Sequence, residues 1–413
     1  MHVVVLGEGL APVLAAMWLR KLSSTVDITI LSERGALGHS APLVPLYALG
    51  VIEERQLYPI PQSYVSDVVR ARVVTSGYEL DVGRRVIKVE GEEGGFDYLI
   101  LAVEPECSAP RGLPRSRVAC PWRLAEARWV RERLGAVSKV ALVGDALMSL
   151  ALARYLADRG YDCVVIVDEA ASGDRDIIEE AVKACSGVCL SEEVADAKGA
   201  ELVLCSGLWR APRHLGELGV RTGRFGALVN GRGMTSVEGV LAVGGCAEHV
   251  ESYGDPYIPV SEGVHDAECL IAAASVLRPE LGLRLSKVAG CLCFELEDGY
   301  VVSVGSTVAG ARRGGLDAVS VRLRRRVDGG EAVVKVVADR RSGVVVGVHV
   351  VATGEVDLAC AAHACLIAHA PLRVEELAAC PQPTLLGRPL LREGLLEALR
   401  SAWYKSARLS APR

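Results

Sequence analysis

The sequence lacks any long, uninterrupted apolar run and any long block of like charge. Half of its 413 residues are hydrophobic, yet no stretch reaches the roughly 20 consecutive apolar residues that a membrane-spanning helix needs. Charged residues make up 23% of the chain and nearly cancel, at a net charge of -5. Disordered tails and nucleic-acid-binding arms have blocks of one charge. We therefore expect a globular protein without a membrane span or a nucleic-acid partner.

A basic leader is also missing at the N-terminus. The apolar residues there divide into a short strand, a glycine turn and a helix containing Arg20 and Lys21, whereas a signal peptide has a continuous apolar region behind basic residues. The 13 cysteines are scattered over the chain instead of being concentrated in a small secreted domain. We expect most of them to be buried as small apolar side chains in a cytoplasmic protein.

Strand-like and helix-like segments alternate twice along the chain. The first series runs from "HVVVL" to "FDYLILAV", and a second begins near Lys139 with "KVALV", a helical segment and "DCVVIVDE". Such alternation predicts parallel sheets covered by helices. From about Val288 closely spaced β-rich runs come before helical ones, which predicts a separate α+β domain.

The stretch "GEGLAP" follows the first strand and has two of the three glycines of a dinucleotide-binding loop. Gly7 permits the tight turn and Gly9 lets a pyrophosphate approach the backbone, but Pro12 replaces the third glycine. Proline is tolerated in the first helical turn, although it offers no N–H to a phosphate. Glu33 ends the next strand, where a carboxylate accepts from an adenosine ribose. These residues favour nucleotide contact, and an empty structural turn is the alternative.

The second loop, in "VALVGDALMSLALARYL", has small residues at the glycine positions. They are Gly144, Ala146 and Ser149, and Asp145 lies between the first two. Asp168 ends the next strand and is the candidate ribose acid, which would favour NADH over NADPH because it repels a 2′-phosphate. A carboxylate at position 145 can equally repel a pyrophosphate, so nicotinamide binding and an empty turn both remain open.

These segments, in this order, resemble the pyridine nucleotide-disulfide oxidoreductase family, specifically its NADH oxidase and coenzyme A-disulfide reductase branch. The resemblance also rests on "HSAPLVPLYALG", "AELVLCSGLWRAP", "MTSVEGVLAVGGCAEHV", "VVKVVADRRSGVVVGVHVV" and "CPQPTLLGRPLLREGLLEAL". It implies an α/β protein with two Rossmann-like dinucleotide-binding domains (the FAD/NAD(P)-binding fold) and a C-terminal α+β dimerisation domain. The implied parts are an FAD-type domain at 1–115, an inserted NAD(P)H-type domain at 116–236, a return to the FAD domain at 237–285, and dimerisation at 286–413.

The resemblance implies FAD and NADH as cofactors and a homodimer through the C-terminal domain. In "YGDPYIP" it puts Tyr257, Pro259 and Val260 near the flavin, and a proline-rich turn before a helix is the alternative. The residues expected to contact a cofactor are Gly7, Gly9, Leu10, Ala11, Pro12, Glu33, Gly144, Ala146, Asp168, Gly244, Gly245 and Val260.

Two departures from the family concern its catalytic groups. Members of this branch carry a redox cysteine in the segment matching "APLVPLY", where this chain has Leu43 and Val44. The His-Pro-Thr of related disulfide reductases becomes Gln382, Pro383 and Thr384, and an amide cannot transfer a proton near neutral pH. We therefore assign no catalytic residue and expect no cysteine relay.

Two further departures concern the flavin site. The family's Ala-Thr-Gly after the last strand of the first half becomes Val103 and Glu104 after an alanine, and its Gly-Asp becomes Gly244 and Gly245. Loss of that carboxylate removes a charge-assisted hydrogen bond worth roughly 1.5–3 kcal/mol. Together with Pro12 these changes favour weak FAD binding or none.

Metal sites are not indicated. His363 and His369 lie six positions apart and so do not share a helical face as i, i+4 ligands would, which leaves a core or interface helix. The pairs Cys185/Cys189 and Cys291/Cys293 lie in different expected domains, and on a strand the second pair would share a buried face. The run "RLRRRV" reads as a solvated strand face or a charge-protected edge.

Two functions follow from these observations. One is an FAD-dependent NAD(P)H oxidoreductase that passes hydride from NADH to flavin and electrons on to oxygen, a quinone or a protein, without a cysteine relay. The other is a catalytically inactive paralogue that acts as a binding or regulatory subunit with a weakened or empty nucleotide cleft.

Overall fold

The computed structural model describes residues 1–32, 37–110, 112–167, 174–191, 193–249, 262–285, 290–297, 299–327 and 330–353. The strands in this part of the chain are β1 (His2–Gly7), β2 (Asp27–Leu31), β3 (Arg72–Val74), β4 (Tyr78–Asp81), β5 (Val86–Val89), β6 (Glu92–Gly95), β7 (Tyr98–Ala102), β8 (Glu106–Cys107), β9 (Val118–Ala119), β10 (Lys139–Gly144), β11 (Asp162–Val167), β12 (Val188–Ser191), β13 (Leu202–Ser206), β14 (Trp209–Arg210), β15 (Ala227–Val229), β16 (Val240–Ala242), β17 (Ala247–His249), β18 (Cys291–Leu296), β19 (Gly299–Gly305), β20 (Ala318–Val327), β21 (Gly330–Asp339) and β22 (Val345–Thr353).

The helices in the same part of the chain are α1 (Ala11–Leu22), α2 (Val44–Ala48), α3 (Gln62–Tyr64), α4 (Leu124–Leu134), α5 (Ala146–Ala157), α6 (Arg175–Lys183), α7 (Arg213–Glu217), α8 (Glu262–Leu277) and α9 (Val308–Arg313). Short 3₁₀ turns and one π turn join several of these elements. None of the described helices is both long enough and apolar enough to cross a membrane.

Two five-stranded parallel sheets carry the two predicted nucleotide loops. The first has the strand order β16-β7-β1-β2-β3, and the second has the order β12-β11-β10-β13-β9. In each sheet the central strand, β1 or β10, leads through a glycine turn into a helix, α1 or α5. The predicted α/β class with two Rossmann-like units is confirmed. Strand β16 returns to the first sheet after the whole second sheet has been formed.

A third sheet is antiparallel, with the order β18-β19-β22-β21-β20. Its edge strand β20 contains the predicted charged run. Arg322 and Arg324 of that run pair with Glu180 of α6 at 2.7 Å and 2.6 Å, and the neighbouring Lys335, 7% exposed, pairs with Asp174 and Asp176. The charged edge therefore holds the third sheet against the second unit. The predicted domain boundaries stay a prediction.

Most of the described cysteines are buried, as expected. Six of the nine described cysteines are buried, while Cys107 is half-buried and Cys189 and Cys293 are exposed. The expectation that Cys293 is buried was wrong, because strand β18 lies at the edge of the third sheet and one of its faces meets solvent. The side chain of Cys291 lies outside the described residues.

The turn after β1 depends on a close backbone contact. Gly7 pairs with Ala102 of β7, and a Cβ added to Gly7 would lie 2.1 Å from the Ala102 carbonyl oxygen. Such a contact requires the backbone to move, so Gly7→Ala is expected to lower the free energy of unfolding by about 1–3 kcal/mol. Urea unfolding followed by circular dichroism measures this loss.

The matched control is Gly135→Ala. Gly135 ends α4 with right-handed helical angles, and nothing lies within 4 Å of an added Cβ. This variant is expected to unfold at the same urea concentration or to gain roughly 0.4–1 kcal/mol from reduced chain entropy. Equal losses in both variants would contradict the steric role of Gly7.

Candidate functional site

The first loop presents an uncapped helix N-terminus at the carboxyl end of β1. Gly9 has φ +72, a left-handed conformation that suits glycine. Helix α1 begins at Ala11 with Pro12 in its first turn, and it has neither a side-chain cap at Leu10 nor an acidic residue in that turn. An open helix N-terminus of this kind attracts anions. The backbone therefore retains the form of a phosphate-binding loop.

The side chain of His39 lies close to Gly9. The N–H of Gly38 donates to the Gly9 carbonyl over 2.7 Å. A Cβ placed on Gly9 would lie 3.3 Å from the carbonyl oxygen of His39 and 3.5 Å from its imidazole. His39 is fully buried. In a dinucleotide site this glycine leaves room for a pyrophosphate, so His39 occupies part of that approach.

His39 is held by Glu104. Its Nε2 lies 2.6 Å from Oε1 of Glu104, whose side chain is 18% exposed. Glu104 follows β7 and the buried Val103, at the position where the family carries a glycine. The sequence showed the departure at Glu104 but not its partner, because His39 and Glu104 are 65 residues apart and no local spacing links them.

Two cavities flank this pair. The larger, about 330 Å³, opens beside the end of β1. Among the residues that line it are Gly7 and Glu8, Leu31 of β2, and Tyr78 and Leu80 of β4. Its volume is within the range of small-ligand pockets, roughly 300–1,000 Å³. Val103 and Glu104 line both cavities.

The smaller cavity, about 40 Å³, is lined by Gly9, Leu10, Ala11, Gly245 and the carboxylates Glu8, Glu104 and Glu262. Oε1 of Glu262 is buried without a hydrogen-bond partner among the described residues. Three carboxylates around the loop disfavour a bound pyrophosphate, since two unit charges 4 Å apart repel by about 1 kcal/mol in water and more where water is excluded.

The predicted glycine pair lies against α1 and α8. Gly244 has φ +67, and an added Cβ would lie 2.9 Å from the Cβ of Ala11. The Gly244 N–H donates to Oε2 of Glu268 over 2.7 Å, while the other oxygen of Glu268 accepts from buried His249 at 2.8 Å. A carboxylate from α8 therefore lies close to the place where the family has its aspartate, but it is occupied by protein donors.

His265 also lines the smaller cavity. Burial lowers the pKa of its imidazole, although Glu268 and Glu262 oppose that shift. The ring is therefore neutral near pH 7, and it offers no positive charge to balance the carboxylates around the cavity.

In the second loop, the side chain of Asp145 caps the helix that follows. Gly144 has φ +127, and an added Cβ would lie 2.0 Å from the carbonyl oxygen of Ser206. Asp145 is the N-cap of α5, and its carboxylate accepts from the Met148 N–H over 2.8 Å. Ala146 begins the helix and is buried. The glycine turn is present, but a fixed carboxylate lies at the helix N-terminus where a pyrophosphate would bind.

Leu43 and Val44 occupy the segment in which the family carries its redox cysteine. Leu43 ends a 3₁₀ turn, and fully buried Val44 begins α2. No cysteine lines either cavity among the residues described. In the same part of the chain, no group of three or more His, Cys, Asp or Glu side chains is placed to hold a metal ion.

The structure thus brings most of the predicted residues together in two places. Residues of the first loop and the glycine pair meet at the smaller cavity, while those of the second loop lie together at the start of α5. Outside the described residues lie Glu33, Asp168, Tyr257, Pro259, Val260, His363, His369, Gln382, Pro383 and Thr384.

Similarity to known proteins is low in sequence and high in fold. No family model matches the chain. It is 26% identical over 298 residues to the NAD(P)H sulfur oxidoreductase (CoA-dependent) of Pyrococcus abyssi, a match that covers 63% of this chain and 66% of that protein. The chain therefore spans just under two thirds of this curated relative's length.

Two solved structures share the architecture. An NAD-dependent persulfide reductase from A. fulgidus superposes with a TM-score of 0.81 at 20% identity, covering 99% of this chain and 84% of that one. A pyridine nucleotide-disulfide family oxidoreductase from Enterococcus faecalis gives a TM-score of 0.77 at 16% identity, covering 99% and 100%. The chain has the fold of the pyridine nucleotide-disulfide oxidoreductases, and the resemblance predicted from its sequence is confirmed.

Proposed function

We propose that the chain is an FAD-dependent NAD(P)H oxidoreductase that passes reducing equivalents from NADH through flavin to an unidentified acceptor, without a cysteine relay. The observation that carries the proposal is the first loop: a glycine with φ +72 before an uncapped helix, beside a cavity of about 330 Å³. The relatives named above, which include an NAD(P)H-dependent and an NAD-dependent enzyme by their descriptions, support it.

In this proposal the first loop would hold FAD. The close contact of Gly7 with β7 and the left-handed turn at Gly9 give the loop the backbone form of a dinucleotide cradle, and His39 is the side chain that a pyrophosphate would displace from Gly9. Leu31 and Leu80 offer apolar surface in the larger cavity, and Leu10 and Ala11 lie at the helix N-terminus. When bound, flavin would supply acceptance of a hydride and its release as electrons. The chain's own task is to bind and orient it.

The missing thiol limits the choice of acceptor chemistry. Because Leu43 and Val44 replace the family's cysteine segment and no cysteine lines the described cavities, electrons would leave the flavin without a protein thiol. Oxygen, a quinone or an electron-carrier protein meets that requirement. A homodimer through residues 286–413 and a cytoplasmic location stay predictions.

A second candidate function is a catalytically inactive paralogue with a binding or regulatory role. It is favoured by the contact of His39 with Glu104 and by the three carboxylates around the smaller cavity. Both features are unfavourable for a pyrophosphate on Gly9. This candidate and the flavoprotein differ in a directly visible property, the presence of a flavin.

The flavin test uses the purified full-length protein. We expect a yellow protein whose visible flavin absorbance survives gel filtration after incubation with FAD and is bleached by NADH without oxygen. Gly9→Ala is expected to lose the flavin because its Cβ would crowd His39 at the place where a pyrophosphate approaches the loop. Gly50→Ala is the matched control, since Gly50 also has φ +72 but nothing within 4 Å. Colourless wild-type protein that takes up no FAD would support the inactive paralogue instead.

The carboxylate at Glu104 gives a second test. Glu104→Gln removes one negative charge from the edge of both cavities, so we expect FAD or ADP to bind about five- to tenfold more tightly, the effect of one charge several Å away. Calorimetric titration with ADP measures the change. Glu93→Gln, an exposed residue paired with Arg84, alters the net charge equally and should leave affinity unchanged. An equal gain in both variants would contradict a local effect.

Asp145 gives the corresponding test for the nicotinamide site. Asp145→Asn keeps a side-chain acceptor for the Met148 N–H but removes the charge, so NADH is expected to bind severalfold more tightly with the stability of α5 retained. Fluorescence titration with NADH reads the affinity. Asp145→Ala is the control for the cap, with an expected loss of roughly 0.5–2 kcal/mol in the free energy of unfolding. Unchanged NADH affinity in Asp145→Asn would rule out electrostatic exclusion.

A further inference from the structure

Three cysteines lie close to the edge strand β9 of the second parallel sheet, where the chain passes from one nucleotide-binding unit to the other. Cys107 ends β8, which pairs antiparallel with β14 so that Cys107 is opposite Trp209. Cys120 directly follows β9, and the parallel register of β9 with β13 brings it level with Cys205. Cys107 packs against the small apolar cluster that contains Cys120 and Trp209. No local sequence pattern reveals this cluster, because Cys205 lies 98 positions after Cys107.

The three thiols differ in exposure. Cys120 and Cys205 are each only 1% exposed, whereas Cys107 is half-buried. Cys120 packs with Met148 and Trp209 in a small apolar cluster. Cys205 lies inside β13 between two paired strands, while Cys120 lies just beyond the short edge strand β9. Cys107 is therefore the thiol that solvent can reach, and Cys120 is the partner with more freedom to move.

Charges around the cluster favour a thiolate at one position. The thiols of Cys120 and Cys205 act as donors to Cys107, and with Arg123 and Arg210 they hold the pKa of Cys107 well below its ordinary value. Burial and the neighbouring Cys107 raise the pKa of Cys120. Nearby carboxylates are already engaged: Glu106 pairs with Arg210 at 2.7 Å, and Glu126 pairs with Arg123 at 3.1 Å.

We propose that Cys107 and Cys120 form a thiol–disulfide exchange site for low-molecular-weight disulfides, with Cys107 as the attacking thiol and Cys120 as the resolving thiol. Glu106 and Arg123, close to the pair in the chain, both line the larger cavity, and half-buried Cys107 is the thiol of the pair that solvent reaches. The site lies apart from the position where the family carries its redox cysteine, and it does not depend on a bound flavin.

The reaction balances without another reagent. The Cys107 thiolate attacks a disulfide RSSR, so that a bond forms between Cys107 and one sulfur while the S–S bond breaks and RS⁻ leaves to take up a proton. Cys120 then gives up its proton and attacks Sγ of Cys107, which forms the Cys107–Cys120 disulfide and releases the second RSH. Two protein thiols are oxidised and one RSSR is reduced to two RSH.

Formation of this disulfide would link the two-stranded sheet of β8 and β14 covalently to the edge of the second parallel sheet. Strand β8 follows the last strand of the first half of the first sheet, and Cys120 directly follows the edge strand of the second sheet. The oxidised pair would therefore tie the chain at the point where it passes from one nucleotide-binding unit to the other.

The test oxidises the purified full-length protein with hydroxyethyl disulfide and maps the products by peptide mass spectrometry. We expect a peptide pair joined through Cys107 and Cys120 with the loss of two hydrogens. Exposed Cys189 should carry only the mixed disulfide. A Cys107 that carries only hydroxyethyl thiol, or that joins Cys205, would overturn the assignment.

Variants separate the roles of the three thiols. Cys120→Ala should leave Cys107 as a mixed disulfide, while Cys205→Ala, a matched buried change, should still form the Cys107–Cys120 bond. Iodoacetamide labelling of reduced wild-type protein gives a readout without a variant. An ordinary thiol loses about a hundredfold in rate between pH 8 and pH 6, whereas Cys107 should lose far less. A full hundredfold loss at Cys107 would overturn its role as the attacking thiol.

Discussion

The close approach of a glycine to the neighbouring strand is the constraint on which both nucleotide-binding units depend. Gly7 at the end of β1 and Gly144 at the end of β10 would each place a Cβ within about 2 Å of a carbonyl oxygen, from Ala102 and from Ser206. Each contact lets the chain turn immediately from the central strand into a helix over the same sheet. The two turns bring α1 and α5 to the carboxyl ends of their sheets, where ligands bind in folds of this class.

This backbone constraint has been retained while the charges around it have changed. A dinucleotide loop binds phosphate because its helix N-terminus is positive and its surroundings do not oppose an anion. Here Glu104 and Glu262 face the first loop, and Asp145 caps the helix of the second. Helix formation benefits from a carboxylate at its N-terminus, so substitutions that stabilise an empty site also weaken it for a nucleotide. The carboxylate of Asp145 therefore stabilises α5 and at the same time repels a pyrophosphate at its N-terminus.

The sequence was sufficient for the features that depend on local patterns. A few consecutive residues are enough to predict the alternation of strands and helices, the glycine turns and the charged strand β20. The structure has all three features. The candidate site was harder to predict, since its decisive contacts join residues far apart. Glu104 looked like an isolated departure until His39 was found against it, and the acceptor for the Gly244 N–H proved to be Glu268 from α8.

Topology explains why side chains without a sequence pattern meet in this fold. The second sheet is inserted between β7 and β16 of the first, so the chain crosses between the sheets twice, once before β9 and once after β13. Both crossings contain a short strand, β8 and β14, and these strands pair with each other. Cys107 on the outgoing crossing is therefore fixed beside Cys205 at the end of the second sheet. A thiol cluster at this junction needs no motif, because the register of two short strand pairs determines which side chains meet.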